Sequence, residues 1–447
     1  MEENQMLLEF KVENYKSFSE EATFSMVAAP KQSGLDYSLL KEKVRGKLVK
    51  GLSSSVIYGP NAAGKTNIIG AIDVLRAIII RGNIRNSEEK NSPNAAASAL
   101  ELIPNNKLSE AHPVKFSIVF LEKKLKIQYE ISMDLGTFLD EEYPREIKEE
   151  RLSVNGEDIF TRSANLTIGD LKGIEDYLSD ITNQNKENVM GIARNSLTRD
   201  ELFLTNGFKL IFSQKLVKLI VDWFTNKCMV IYRADTIQLI KRFADPKKKA
   251  VYVEKTTNQA AELFGINSNA VGYVVSDDEP EAKLYSIFKN TENEKNTAIV
   301  SEIFESYGTI RFINMFPLVI KAIMTGGTLI VDEFDASIHP MALMSIINIF
   351  HNDDINIHHA QLIFNTHNPI FLNSNLFRRD EIKFVERDDD EHYSTLYSLA
   401  SFGTTGEKGV RKHEDYMGKY FISQYGAIKD IDFTPIFEQL LEDERED

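Results

Sequence analysis

Three short apolar runs in this chain end in residues capable of chemistry. Val56-Ile57-Tyr58 leads into Gly59, Thr328-Leu329-Ile330-Val331 into Asp332, and Gln361-Leu362-Ile363-Phe364 towards Thr366-His367. Runs of this length, bounded by polar residues, read as strands covered on both faces, as in a parallel sheet. After the first run, Ile68, Ile69, Ile72, Leu75 and Ile79 fall three to four apart and predict a helix; Met341 to Phe350 predicts another between the second and third. Ligands of open α/β sheets gather outside the carboxyl ends of the strands, so Gly59, Asp332 and Thr366-His367 are expected to converge.

Elsewhere the period is two. Residues 6–28 alternate, with Leu8, Phe10 and Val12 on one face and Phe18, Phe24 and Met26 continuing after a polar turn. Val114 to Phe120 and Leu125 to Ile131 flank a charged Glu122-Lys123-Lys124 turn, and Asn155-Gly156 joins Arg151–Val154 to Asp158–Phe160 as a type I′ hairpin. Residues 81–113, rich in Asn and Pro, read as a mobile surface excursion, and residues 170–305 read as mostly helical, with a polar break near Asn267 to Pro280. No heptad run or internal repeat is present, and the acidic stretch after Glu438 is expected to fray. The expected division is 1–165 for the first half of an α/β head with a β-hairpin subdomain, 166–300 for an inserted compact helical lobe, and 301–447 for the second half.

Composition narrows the function classes. The 447 residues, 43% of them hydrophobic, suffice for two or three lobes with a real core. A net charge of −15 argues against a generally basic nucleic-acid surface, although a local basic groove stays open. Cys228 is the only cysteine, which excludes an intramolecular disulfide and a cysteine-built zinc cluster. The first residues lack the layout of a signal peptide, and no uninterrupted apolar stretch approaches the ~18 residues of a membrane span, so a cytoplasmic protein is expected.

Gly59-Pro60-Asn61-Ala62-Ala63-Gly64-Lys65-Thr66 has the spacing G-x-x-x-x-G-K-[ST]. Glycines let backbone N–H groups curl around phosphate oxygens, Lys65 reaches the terminal phosphates, and Thr66 offers a hydroxyl to Mg2+. The helix opening at Thr66 and Asn67 would add its positive dipole end. Asp332 stands where a Walker-B aspartate holds magnesium, and Glu333 beside it is the candidate general base for the water attacking an ATP γ-phosphate.

The order of the further pieces resembles the ABC-type ATPases of the SMC, RecF and OLD class. Ser306-Tyr307-Gly308-Thr309 is similar to the class's divergent signature, Asp335 in Phe334-Asp335-Ala336-Ser337-Ile338-His339-Pro340 to its D-loop, Thr366-His367 to its switch histidine, and Glu13-Asn14-Tyr15-Lys16-Ser17-Phe18 to its first strands. Glu333 to Pro340, Asn365 to Pro369, Arg379 to Glu386 and Tyr425-Gly426-Ala427 look like the AbiLi/RloA group of abortive-infection ATPases. The resemblance implies an α/β P-loop NTPase with an ABC/SMC-like head, binding ATP and Mg2+ and acting in anti-phage defence with a separately encoded effector. It also implies a homodimer or higher homo-oligomer in which two heads sandwich two nucleotides. Ser306 and Gly308 would then complete the partner's site, while Lys65, Thr66, Asp332, Glu333 and His367 serve their own. The signature lacks the class's second glycine and glutamine, and no Q-loop glutamine is placed, which fits slow or partner-stimulated turnover.

Three other readings use the same residues. An OLD-like nuclease would draw on Glu386 and Asp388-Asp389-Asp390, but these lie between two apparent strands, where a hairpin turn is the simpler account. A nucleotide-gated scaffold with little turnover would restrain its effector through binding alone. A RecF-like repair ATPase would bind DNA in a salt-dependent manner.

Overall fold

The computed structural model describes residues 4–30, 32, 34–85, 100–105, 111–138, 140, 143–179, 191, 197–232, 250–252, 255–274, 283–289, 296–404, 409–429 and 431–446. Its centre is a six-stranded sheet ordered Cys228–Ile231, Thr328–Val331, Gln361–Asn365, Ser54–Tyr58, Ile382–Arg387 and Ser394–Ser398. The first five are parallel and the last pairs antiparallel to its neighbour. Each of the three apolar runs is buried along its whole length, because helices cover both faces of the sheet.

The P-loop strand Ser54–Tyr58 and the following helix Lys65–Arg81 form as the periodicity predicts, with Ile68, Ile69, Ile72, Leu75 and Ile79 all buried. Gly82 ends the helix with φ +76, a left-handed cap that other residues rarely adopt. Across the sheet, helix Tyr307–Thr325 is capped by Ser306, whose side chain accepts from the Thr309 N–H, and helix Pro340–Phe350 starts with proline in its first turn. Tyr307–Thr325 is long and apolar enough to cross a membrane, yet Phe312, Ile313, Met315, Leu318, Val319 and Ala322 are all buried in the head.

A second, seven-stranded antiparallel sheet carries the first strand, Met6–Glu13, between Ala22–Ser25 and Val114–Glu122. Both predicted hairpins are present. Asn155 and Gly156 have φ +55 and +86, and Lys123 and Lys124 have φ +49 and +61, the positive angles a type I′ turn requires. Phe116, Ile118 and Phe120 point into the core cluster shared with the P-loop helix, whereas Lys115 on the other face pairs with Glu13.

Residues 166–300 differ from the expected mainly helical lobe. Helix Gln214–Asp222 is there, but Cys228–Ile231 after it is a strand of the central sheet, in register with Thr328–Val331. Four strand residues directly following a helical run leave too short a signature for periodicity to detect. Farther on, helix Lys255–Phe264 accompanies a four-stranded antiparallel meander of Ala250–Tyr252, Ala270–Val274, Lys283–Lys289 and Asn296–Val300. Its small core, Ala261, Val271 and Leu284, is shared with Ile313 of the helix Tyr307–Thr325, and most positions of Ala270–Val274, Lys283–Lys289 and Asn296–Val300 are at least partly exposed, so no clean buried-and-exposed alternation marks them.

Two other expectations change. Of the excursion at 81–113, residues 86–99 and 106–110, including Asn86, Asn91, Pro93 and Asn94, lie outside the described residues. The described part is packed: Leu100 and Leu102 join the main core, and the Asn105 amide donates to the Lys16 carbonyl. The segment expected to fray continues as a helix, Thr434–Glu446.

Candidate nucleotide site

The P-loop leaves its strand at Gly59 and enters its helix at Gly64, where φ is +106. Both glycines are needed for space as well as angle. A Cβ on Gly59 would lie 2.2 Å from the Val385 carbonyl oxygen, and one on Gly64 would lie 2.5 Å from the Ser17 hydroxyl. Ser17 accepts from the Asn67 amide, and the Ser394 hydroxyl donates to the Ala63 carbonyl, so the loop is braced from outside by the turn after Met6–Glu13 and by the start of strand Ser394–Ser398.

Lys65 is 5% exposed, and its ammonium donates to the Gly59 and Pro60 carbonyls at 2.8 and 2.9 Å, folded into the cradle the loop makes. Burial pushes its pKa down to about 8, opposed by Asp332, Glu333 and Asp335.

Thr66 and Asp332, 266 residues apart, meet directly: the Thr66 hydroxyl donates to Asp332 Oδ1 at 3.0 Å. Two oxygen donors of the kind Mg2+ prefers thus stand together beyond the carboxyl ends of Ser54–Tyr58 and Thr328–Val331, the two strands that flank Gln361–Asn365, and the residues fit that ion. Asp332 is fixed further by the Asn365 amide, which donates to the same Oδ1.

Glu333 is left-handed, with φ +52, a backbone state costing roughly 1–3 kcal/mol for a residue with a side chain. The surroundings hold it there. Asn365 Oδ1 accepts from the Glu333 N–H, and Arg311 Nη2 donates to the carbonyls of Asp332 and Glu333. Arg311 is buried and its Nε has no partner among the described residues. The turn thereby presents an exposed Glu333 side chain one residue past a buried Asp332.

Ser306 and Gly308 sit at the N-terminus of the helix that carries Arg311, against the D-loop instead of the P-loop. A Cβ on Gly308 would come within 1.9 Å of the Ser337 carbonyl oxygen. Glu305 beside them is held by the hydroxyls of Ser268 and Ser286, at 3.1 and 3.2 Å, which ties the signature segment to the small meander. Asp335 lies in the intervening turn, where its charge acts on Tyr58, Lys65 and His367. His367 reaches the surface; partial burial of its ring, then the Lys65 ammonium, hold its pKa below the ordinary imidazole value.

The structure therefore joins Gly59 to Asn67, Asp332, Glu333, Asp335 and His367 into one locus and leaves Ser306 and Gly308 on the far side of the D-loop. Sequence reasoning gave no role to Arg311, Asn365, Ser17 or Ser394. Asn365 carried a usable signal, a polar residue closing a buried strand; Arg311 in the middle of an apolar helix carried another. Asp388 to Asp390 form the expected hairpin turn: the Asp388 carboxylate accepts from the Asp390 and Glu391 N–H groups, and the Asp389 carboxylate pairs with Lys429.

No curated protein matches this chain. Among solved structures, the SMC head domain from Thermotoga maritima aligns with 88% of this chain and 98% of its own, at 13% identity and a TM-score of 0.37. Residues 54–373 match the family AAA_21, described as "AAA domain, putative AbiEii toxin, Type IV TA system". That stretch runs from the P-loop strand past Asp332 and His367, and the chain, an α/β P-loop NTPase by its fold, belongs to this family.

Proposed function

We propose that this chain is a Mg2+-dependent ATPase whose nucleotide state switches it between separate and paired heads, and that it acts as the sensor subunit of an abortive-infection system governing a separately encoded effector, as the AbiLi/RloA resemblance implies. The observation that carries the ATPase part is the Thr66–Asp332 contact beside the cradled Lys65. Lys65 gives up two backbone carbonyls to meet the terminal phosphates, and loop N–H groups take the remaining phosphate oxygens. Thr66 and Asp332 are the donors for Mg2+, which when bound neutralises phosphate charge. Glu333 accepts a proton from the attacking water, and His367, kept largely neutral, can donate an N–H towards the γ-phosphate.

Pairing of heads is supported by the surface beside the signature. Ile303 and Tyr307 are 79% and 57% exposed although apolar or aromatic, next to a Ser306 that serves nothing in its own P-loop. Ser306 and Gly308 would complete the site of a second copy there. The cytoplasmic location belongs to the same reading.

The defence role is tested by plating phage on cells carrying this gene with its genomic neighbour. Protection that disappears with Lys65→Ala is expected. Equal protection by wild type and Lys65→Ala would remove nucleotide control from the account, and no protection by either would remove the defence role.

A further inference from the structure

Three segments far apart in the chain meet beyond the C-terminal end of the P-loop helix. The Ile84 N–H donates to the Asp200 carbonyl and the Ile147 N–H to the Arg199 carbonyl, which draws residues 83–85, 143–147 and 198–201 together. Between them lies a cavity of about 380 Å³, lined by Arg85, Arg145, Arg199, Glu146 and Asp200 and walled by Tyr143 and Pro144. The P-loop helix is 17 residues long, so this cavity is roughly 25 Å from the phosphate loop and is no part of the nucleotide site.

The charges in the cavity leave two guanidiniums over. Asp200 is taken by Arg85, whose Nε and Nη2 both donate to its carboxylate, and Glu146 is paired with Lys148 at 2.9 Å. Arg145 is half-buried, and its Nη1 donates to the Ile84 carbonyl at 3.1 Å. Its Nε and Nη2 make no hydrogen bond, and it forms no ion pair, among the described residues. Burial, then the charge of Arg81, push its pKa down to about 10, so it stays charged at neutral pH. Arg199 is 84% exposed and only approaches Glu146, at 3.9 Å.

A half-buried cation beside another cation is costly unless an anion lies close. Guanidinium groups match an oxyanion with paired N–H donors, and a phosphomonoester brings about −1.5 to −2 of charge with three acceptor oxygens, enough for both arginines. A carboxylate brings half of that. The volume falls within the range of roughly 300–1,000 Å³ typical of small-molecule sites, more room than a bare phosphate ion fills. Tyr143 offers the rest of such a ligand an aromatic ring, anchored by its hydroxyl, which donates to Asp134 at 3.1 Å, and Pro144 extends that apolar wall.

We infer that this cavity binds a small organic phosphomonoester, with Arg145 and Arg199 on the phosphate oxygens and Tyr143 and Pro144 against the organic part. The inference is independent of the nucleotide reading.

The test is calorimetric titration of the full chain with phenyl phosphate, in Mg2+ and a non-hydrolysable ATP analogue that occupies the phosphate loop. Binding should weaken roughly ten-fold in Arg145→Met and measurably in Arg199→Ala, and should fall as pH drops below about 6, where the phosphate loses its second charge. Inorganic phosphate, without a ring for the Tyr143 wall, and benzoate, with a single charge, should both bind more weakly than phenyl phosphate. Arg199→Ala changes an exposed side chain and should melt as wild type does, so it keeps the test decisive if Arg145→Met is destabilised. Lys65→Ala, titrated without the analogue, should bind phenyl phosphate as wild type does, and the analogue's own titration reports separately on the nucleotide reading. No binding of phenyl phosphate below about 1 mM would overturn the inference. So would wild-type affinity in Arg199→Ala, loss of binding in Lys65→Ala, or benzoate or inorganic phosphate binding as tightly as phenyl phosphate.

Discussion

Asn365 is 1% exposed and holds the Asp332–Glu333 turn with both ends of its amide. Asn365→Leu keeps the volume and removes both bonds. Losing a donor to the Asp332 carboxylate costs about 1.5–3 kcal/mol, and losing the acceptor for the Glu333 N–H about 0.5–1.5 kcal/mol. The sum is about 2–4.5 kcal/mol, and the turn loses one of the two groups that hold Glu333 left-handed. Asn365→Asp keeps the shape but sets two carboxylates side by side in a buried place, which raises a carboxyl pKa above its unfolded value. A raised acid is not penalised below about pH 4 and is penalised increasingly as pH rises through its folded value. The Asp variant should therefore approach wild-type stability in acid and fall well short of it at neutral pH, while the Leu variant falls short throughout. Urea unfolding at several pH values measures both. A loss under about 0.5 kcal/mol for Leu, or an Asp variant whose deficit does not change with pH, would refute the bridging role.

Two further outcomes follow from the site. Free Lys65 sits near pKa 8 through burial, and bound phosphates favour its charged form, so ATP affinity should hold below about pH 8 and fall by up to about ten-fold per unit above it; Lys65→Arg, which stays protonated, should flatten that profile, and an affinity indifferent to pH in the wild type would contradict the assignment. Gly308→Ala puts a Cβ 1.9 Å from the Ser337 carbonyl oxygen and should cost roughly 1–3 kcal/mol in denaturant unfolding while removing ATP-dependent pairing; single-head ATP affinity should be unchanged, and wild-type stability with intact pairing would show the contact is not tight.

The P-loop, its helix and the three core strands were legible because each has a local signature: a spacing, a period, or an unbroken apolar run. The Cys228–Ile231 strand was not, since four residues after a helix show no period. Leu100 and Leu102 looked like members of a polar excursion because they are buried in the main core, in a segment that Asn105 ties to the turn at Asn14 to Lys16, nearly 90 residues earlier in the chain. Within the site, chemistry was readable where a side chain acts on a ligand. Arg311 acts on the carbonyls of Asp332 and Glu333, and Asn365 on the Asp332 carboxylate and the Glu333 N–H, and that adjacency exists only once the sheet has formed.

The central claim is that Lys65, Thr66, Asp332 and Glu333 work together on ATP and that the bound nucleotide pairs two heads. Glu333→Gln with ATP and Mg2+, followed by phosphate release and by light scattering after size exclusion, tests it most directly. The account predicts that the variant releases little phosphate and elutes as an ATP-dependent dimer, whereas Lys65→Ala neither binds ATP nor pairs. Wild-type phosphate release by Glu333→Gln, or one elution mass with and without ATP, would contradict it.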